Sequence, residues 1–161
     1  MPLVVRRAVP EDAEAAIFVL RQSISELCAA DHQNDAASLE QWLRNKTIPQ
    51  SKAWLEDGDT WLVVAEIDDV ICGVGLLHRA GEIRLCYVRP GFQRAGIGRA
   101  TLAGLEAQAA AWGLTTLTLG STIAARPFYE KSGYVSVGEP ICGFGLVNCY
   151  PYAKSLRAIR P

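Results

Sequence analysis

The run Gln93-Arg94-Ala95-Gly96-Ile97-Gly98-Arg99-Ala100 has the residue types for holding a phosphate. It follows a strand-like stretch and opens a stretch of helical period. The first N–H groups of a helix find no partner inside it, and the helix dipole adds partial positive charge there. Such an end accepts a diphosphate. Gly96 and Gly98 put no side chain between ligand and main chain. Arg94 and Arg99 can add charge-assisted contacts at the rim. The spacing is neither G-x-x-x-x-G-K-[ST] nor G-x-G-x-x-G, so neither the usual triphosphate loop nor a dinucleotide fold is expected. On spacing alone, a glycine-rich loop entering a helix with no ligand stays open. Cys86 has the chemistry for a covalent intermediate, but it lies in an apolar strand without a local activator and reads as a buried, inert thiol.

Several elements must position this turn. Residues 4–7 read as a short strand. Pro10-Glu11-Asp12 is a helix start, and 13–28 follows as a helix with Ile17, Leu20, Ile24 and Leu27 on one face. Residues 31–35 are polar and turn. A second helix is expected over 37–45, and 48–59 is mixed. Three strands come next, at 61–67, 70–77 and 82–88, and their short turns make an antiparallel meander. A helix over 96–112 ends at Gly113, a natural C-cap. Beyond it lie a strand at 114–119, a helix at 123–132, and closing strands at 134–137 and 143–147. Strand 82–88, the helix and strand 114–119 form a crossover that makes the two strands parallel. The fold class is α/β with a mixed, mostly antiparallel sheet of about six or seven strands flanked by helices.

Length and composition bound the function classes. At 161 residues, one domain spanning 1–161 is expected. Half the residues are hydrophobic and a fifth are charged, with net charge −1. No basic block stands out, so nucleic acid is not an expected partner. No apolar run reaches the roughly 18 residues needed to cross a bilayer, and residues 1–7 lack the apolar core of a signal peptide. The five cysteines form no CxxC pair and only two histidines are present, so no metal site is expected. Reduced thiols place the chain in the cytoplasm.

The segment Leu85-Cys86-Tyr87-Val88-Arg89-Pro90-Gly91-Phe92-Gln93-Arg94-Ala95-Gly96-Ile97-Gly98 resembles the GNAT superfamily of N-acetyltransferases, whose signature is Q/R-x-x-G-x-G/A after a strand ending "YV-x-P". Downstream, Ala125-Arg126-Pro127-Phe128-Tyr129-Glu130-Lys131-Ser132-Gly133-Tyr134 is similar to the family's "A-x-x-F-Y-E-K-x-G-F". The resemblance covers residues 4–137 in topology and about thirty in specific motif. It implies acetyl-CoA as co-substrate, bound where strands 82–88 and 114–119 splay apart. Main chain at Tyr87 and Val88 would bond the pantetheine arm, and main chain from Gln93 through Ala100 (Arg94, Ala95, Gly96, Ile97, Gly98 and Arg99 between them) would hold the diphosphate. Phe128 joins the donor-binding residues. Thr122 stands where the family often has Asn, so a hydroxyl replaces an amide at that pantetheine contact.

The resemblance also places Tyr129 near the sulfur as the general acid, since a phenol with a pKa of about 10 is protonated at neutral pH. Glu82 matches a position where some members carry a catalytic glutamate. Glu26 and His78 are the other base candidates, and water can serve instead. On the acceptor side the resemblance points to the first helices and the last strands. There Glu26, Asp31 or Asp35 could attract a cationic amine. Trp42, Trp54 and Trp61 pack in the core or on a pocket wall, with Phe144 and Tyr150 to Tyr152 as the other wall. The expected activity is acetyl transfer to a primary amine, of a small molecule or of a protein. A noncatalytic acyl-CoA-binding module and a binder of other nucleotide phosphates are the competing readings. The resemblance also allows a homodimer, though no interface is legible.

Overall fold

A computed structural model describes residues 2–156, except the Phe144 side chain. Strands β1 (Leu3–Arg7), β2 (Thr60–Ile67), β3 (Val70–His78) and β4 (Glu82–Val88) pair antiparallel in chain order. Five helices or helical turns lie in or after the long β1–β2 connection: a 3-10 turn (Pro10–Asp12), α1 (Ala13–Leu27), α2 (Ala29–His32), α3 (Ala36–Leu43) and α4 (Ile48–Glu56). Then come α5 (Ile97–Ala111), β5 (Thr116–Ser121), α6 (Arg126–Lys131), β6 (Val135–Ser136), β7 (Ile141–Phe144) and β8 (Val147–Ser155). The sheet runs β1-β2-β3-β4-β5-β8-β6, with β7 on β8, and β4–β5 is its parallel pair.

The sheet has eight strands rather than six or seven. The difference is β8, a nine-residue strand that slots between β5 and β6 and extends well past the expected 143–147. Residues 48–59 also resolve: Thr47 caps α4 by accepting the Gln50 N–H at 3.3 Å, with Pro49 in the first turn.

Period-two alternation builds a core on each face. Leu62 and Val64 of β2 join Ala16, Ile17 and Leu20 of α1, whereas Val63 joins Leu102, Leu105 and Ala109 of α5. β1 is tied to the start of α1 by Arg6, whose guanidinium donates to both Asp12 carboxylate oxygens at 2.8 and 2.9 Å.

Helix α5 lies directly on missing side chains. A β-carbon at Gly73 would come within 2.8 Å of Ile97 Cγ2, one at Gly75 within 2.9 Å of Leu105 Cδ1, and one at Gly104 within 2.9 Å of Val5 Cγ1. Gly73→Ala should therefore cost about 1–3 kcal/mol through overpacking, read as a lower urea midpoint with unchanged slope.

The strand β4 carries the bulge that opens the site. Leu76 pairs with Leu85 and Leu77 with Ile83, which leaves Arg84 as an extra residue. The extra residue inverts the alternation: Ile83 faces the α5 core, while Leu85 faces the α1 core. The parallel pairing of β4 with β5 covers only Glu82–Thr118 and Ile83–Leu119. Past that point β4 stays with β3, and β5 stays with β8 through Ser121–Tyr150.

Candidate active site

The splay leaves the β5-facing edge of β4 unpaired from Arg84 onward. That edge leads to the turn before α5. Arg94 and Gly96 both adopt positive φ, 66° and 80°, and Gly96 is the N-cap without any side-chain cap. Among the described residues, the N–H groups of Gln93 through Arg99 reach no acceptor within the protein. Ala100 differs, because its N–H donates to Gly96 O at 3.0 Å as the first bond of the helix. The Gln93 side chain folds onto its own loop and accepts the Gly91 N–H at 2.6 Å.

A cavity of about 910 Å³ runs along this path. Tyr87, Val88, Gln93, Arg94, Gly96, Ile97, Gly98, Arg99, Thr122, Phe128 and Tyr129 all line it, whereas Ala95, Ala100 and Glu82 do not. At Gly98 a β-carbon would meet the Phe128 ring at 3.3 Å, so the glycine keeps the helix start open beside that ring. Thr122 accepts the Ala125 N–H at 3.0 Å and so caps the turn into α6, leaving its own hydroxyl hydrogen free.

Tyr129 is 6% exposed and packs edge-on against Phe128 and Tyr134. Burial, then the neighbouring Cys86 and Tyr87, hold its pKa well above the ordinary phenol value, so the hydroxyl stays protonated. Cys86 lies beside it. Burial pushes that thiol to about 12, in keeping with an inert residue. Helix α6, which carries Tyr129, rests on β8. The Tyr152 hydroxyl accepts from Arg126 Nε at 3.0 Å and donates to Glu130 Oε2 at 2.8 Å, and Lys154 Nζ donates to Ser132 O at 2.9 Å. These supports were missed in the sequence, where Tyr150 to Tyr152 read as a pocket wall. Their signal is the alternation of Tyr150, Tyr152 and Lys154 along one strand. The Phe144 side chain, named for the same wall, lies outside the described residues.

The expected bases are dispersed. Glu82 is exposed, sits where β4 and β5 still pair, and takes a 2.7 Å ion pair from Arg84. His78 accepts the Ala80 N–H in a turn, and Glu26 is exposed. Asp31 and Asp35 do not offer themselves to a cationic amine. Asp31, 2% exposed, accepts the Ile123 N–H at 2.7 Å and the Ala124 N–H at 3.4 Å; Asp35 caps α3 through Ser38. His32 is fully buried between Ile24 O and the Asn34 N–H.

A second cleft, about 400 Å³, opens across the β4–β5 gap and shares Arg84, Leu85, Tyr87, Gly120 and Thr122 with the first. Trp42 and Val147 help to wall it, while Trp54 and Trp61 pack in the cores. Among the described residues no Asp, Glu or His lines either space, and no three metal-ligating side chains cluster.

The family model for the acetyltransferase (GNAT) domain matches residues 28–156. The chain belongs to the GNAT acetyltransferases. Its fold agrees with a GCN5-related N-acetyltransferase from Rhodopseudomonas palustris at a TM-score of 0.85 and 24% identity, covering 97% of each chain. A PaiA N-acetyltransferase from Thermoplasma acidophilum, solved in complex with coenzyme A, gives 0.82 and 20%, over 97% of this chain and 100% of that one. YncA from Salmonella typhimurium, solved with its cofactor acetyl-CoA, gives 0.69 and 17%, over 100% and 96%. At these identities the likeness establishes the fold. No curated protein matches the sequence significantly. No helix among the described residues is long and apolar enough to cross a membrane. For this GNAT acetyltransferase, the splayed strands, the glycine turn and Tyr129 define the candidate active site.

Proposed function

We propose that this single-domain chain transfers an acetyl group from acetyl-CoA directly to the primary amine of a small molecule. The observation that carries this reading is the pair of spaces meeting in the β4–β5 gap, because direct transfer needs donor and acceptor in contact. The residues present fit the donor. Unclaimed amides at Gln93 through Arg99 match a diphosphate, Gly98 keeps the approach open, and the free β4 edge at Tyr87 and Val88 can take the pantetheine arm as an added strand. Bound there, acetyl-CoA supplies an activated acetyl thioester. Tyr129 holds a proton at its hydroxyl for the departing thiolate, and Thr122 retains a hydroxyl hydrogen for the arm. With no carboxylate or imidazole among the described residues on the lining, the amine proton leaves through water in this reading, rather than through Glu82. The Cys86 thiol, half-buried on the donor-cavity lining with its pKa pushed up to about 12 and no carboxylate or imidazole on that lining among the described residues, forms no acyl intermediate. Five unpaired cysteines suit a reducing cytoplasm.

Calorimetric titration with CoA and with ATP, beside a thiol-release assay with acetyl-CoA and a panel of small primary amines, tests this. CoA should bind and ATP should bind more weakly, and at least one amine should release thiol above the water blank. Tighter ATP binding would remove the donor assignment. CoA binding with no thiol release for any amine would leave a noncatalytic module.

A further inference from the structure

We propose that the acceptor of this enzyme carries a compact anionic group beside its amine, a carboxylate in the simplest case, and that Lys46 is the residue that grips it. This deepens the reading above and rests on the 400 Å³ cleft being the acceptor site.

Charge on the cleft lining is one-sided. Arg44, Lys46 and Arg84 line it, joined by the neutral amides of Gln41, Asn45 and Asn148. The two arginines are exposed at 69% and 44% and have carboxylates of their own, Glu40 at 3.9 Å and Glu82 at 2.7 Å. Lys46 is different. It is 7% exposed, and among the described residues its Nζ meets no carboxylate within ion-pair distance. Its polar contact is Asn45 Oδ1 at 2.6 Å, a neutral acceptor.

The fold holds this residue in place. The Lys46 N–H donates to Leu43 O at 2.9 Å, closing a turn after α3. Arg21 reaches across from α1 and donates to Leu43 O and Lys46 O, both at 3.0 Å. A lysine on a loose loop would swing its ammonium into water, but here the main chain is pinned at the carbonyl and the ammonium is tied to Asn45 Oδ1. A buried ammonium on a residue that lines a ligand space, with no carboxylate partner among the described residues, is poorly solvated, and an anion brought to it restores what burial removed. A purely cationic acceptor would meet like charge instead.

The cleft is sized for a small molecule. Trp42, Leu85, Tyr87 and Val147 give it an apolar wall, which suits an amine with some hydrocarbon. Since Leu85 and Tyr87 also border the donor cavity, an anion held at the Lys46 end leaves the amine free to point toward the β4–β5 gap.

Burial lowers the Lys46 pKa to about 8. The other titratable groups on the lining are the guanidinium groups of Arg44 at the end of α3 and Arg84 from β4, the Tyr87 phenol and the Cys149 thiol of β8. Burial raises both of the last two. Lys46 is thus the group whose charge changes just above neutrality, and anion affinity should fall about tenfold per pH unit above about pH 8.

Two assays decide the matter. In the first, thiol release is measured for matched amines: L-amino acids against their carboxamides, and aminoalkyl phosphates against the parent alcohols. At least one anionic member should exceed its uncharged partner about tenfold in kcat/KM, mainly through KM, with the series that wins identifying carboxylate or phosphate. Lys46→Met should bring the pair within about threefold, and Lys46→Arg should restore part of the gap. In the second, the CoA-saturated protein is titrated with N-acetyl-L-amino acids, N-acetyl aminoalkyl phosphates and their uncharged counterparts, which requires no turnover. An anion preference in wild type that Lys46→Met abolishes supports the proposal even if no amine is acetylated, an outcome that would sink the reading above alone. Uncharged probes binding as well as anionic ones in every pair overturns it, as does a Lys46→Met loss shared equally by all probes.

Discussion

Tyr129→Phe should lower kcat by about 10²- to 10⁴-fold, the usual contribution of a positioned acid. The affinity for CoA should stay within about twofold, since the donor's proposed polar contacts are main chain and the Thr122 hydroxyl, not Tyr129. Phenylalanine keeps the ring, with its edge-on packing at 5.1 Å from Phe128 and 5.7 Å from Tyr134. The hydroxyl it removes has the Cys86 thiol as its neighbour, a weak partner, so folding should be nearly untouched. The sign of the pH dependence follows from the raised phenol pKa. Tyr129 keeps its proton beyond the ordinary phenol range, so the wild-type kcat profile should show no alkaline fall below about pH 10. Stopped-flow thiol release under saturating amine checks both statements. Unchanged turnover in Tyr129→Phe removes the residue from the chemistry.

Asp31→Ala should destabilise the fold by about 2–4 kcal/mol and lower Tm by roughly 5–15 °C. The carboxylate accepts two main-chain N–H groups 92 and 93 residues away, at Ile123 and Ala124. Without it, both N–H groups lose a charged acceptor that is itself only 2% exposed. Asp31→Asn keeps one acceptor oxygen and should recover part of the loss. The contact also joins two halves of the site. Asp31 belongs to α2, and Ala124 and Ala125 line the donor cavity just ahead of α6. CoA affinity should fall along with Tm. Chemical denaturation and calorimetry on the same samples measure the two effects, and an Asp31→Ala protein as stable as wild type would show the contact to be dispensable.

The motif-bearing half of the chain was readable because its signals are local. Gly96, Gly98 and the helical period after them depend on neighbours in sequence, and the crossover from β4 through α5 to β5 follows from handedness. The half that carries α1 to α4 and β8 was not, for physical reasons. Asp31 looks like a surface acid in a polar run, and only a partner 92 residues on explains its burial. Lys46 sits in an equally polar stretch, and nothing local says that Arg21 pins its carbonyl. Strand β8 carries Pro151 and several polar residues, so it reads poorly as a central strand, yet it pairs with β5, β6 and β7. Glu82 came from resemblance at one strand position; in the fold it sits where β4 and β5 still pair, and the strands part only after Ile83.

The two glycines of β3 beneath α5, and Gly104 on the helix face toward β1, bear on how the donor is met. Gly73 and Gly75 let the Ile97, Thr101 and Leu105 side chains of α5 close onto β3, so α5 sits tightly on the sheet with little room to slide or tilt. Its exposed N–H groups are therefore aligned before any coenzyme arrives. In the proposed docking of the diphosphate there, little motion needs to be frozen, so most of the attraction to the amides should survive as net affinity.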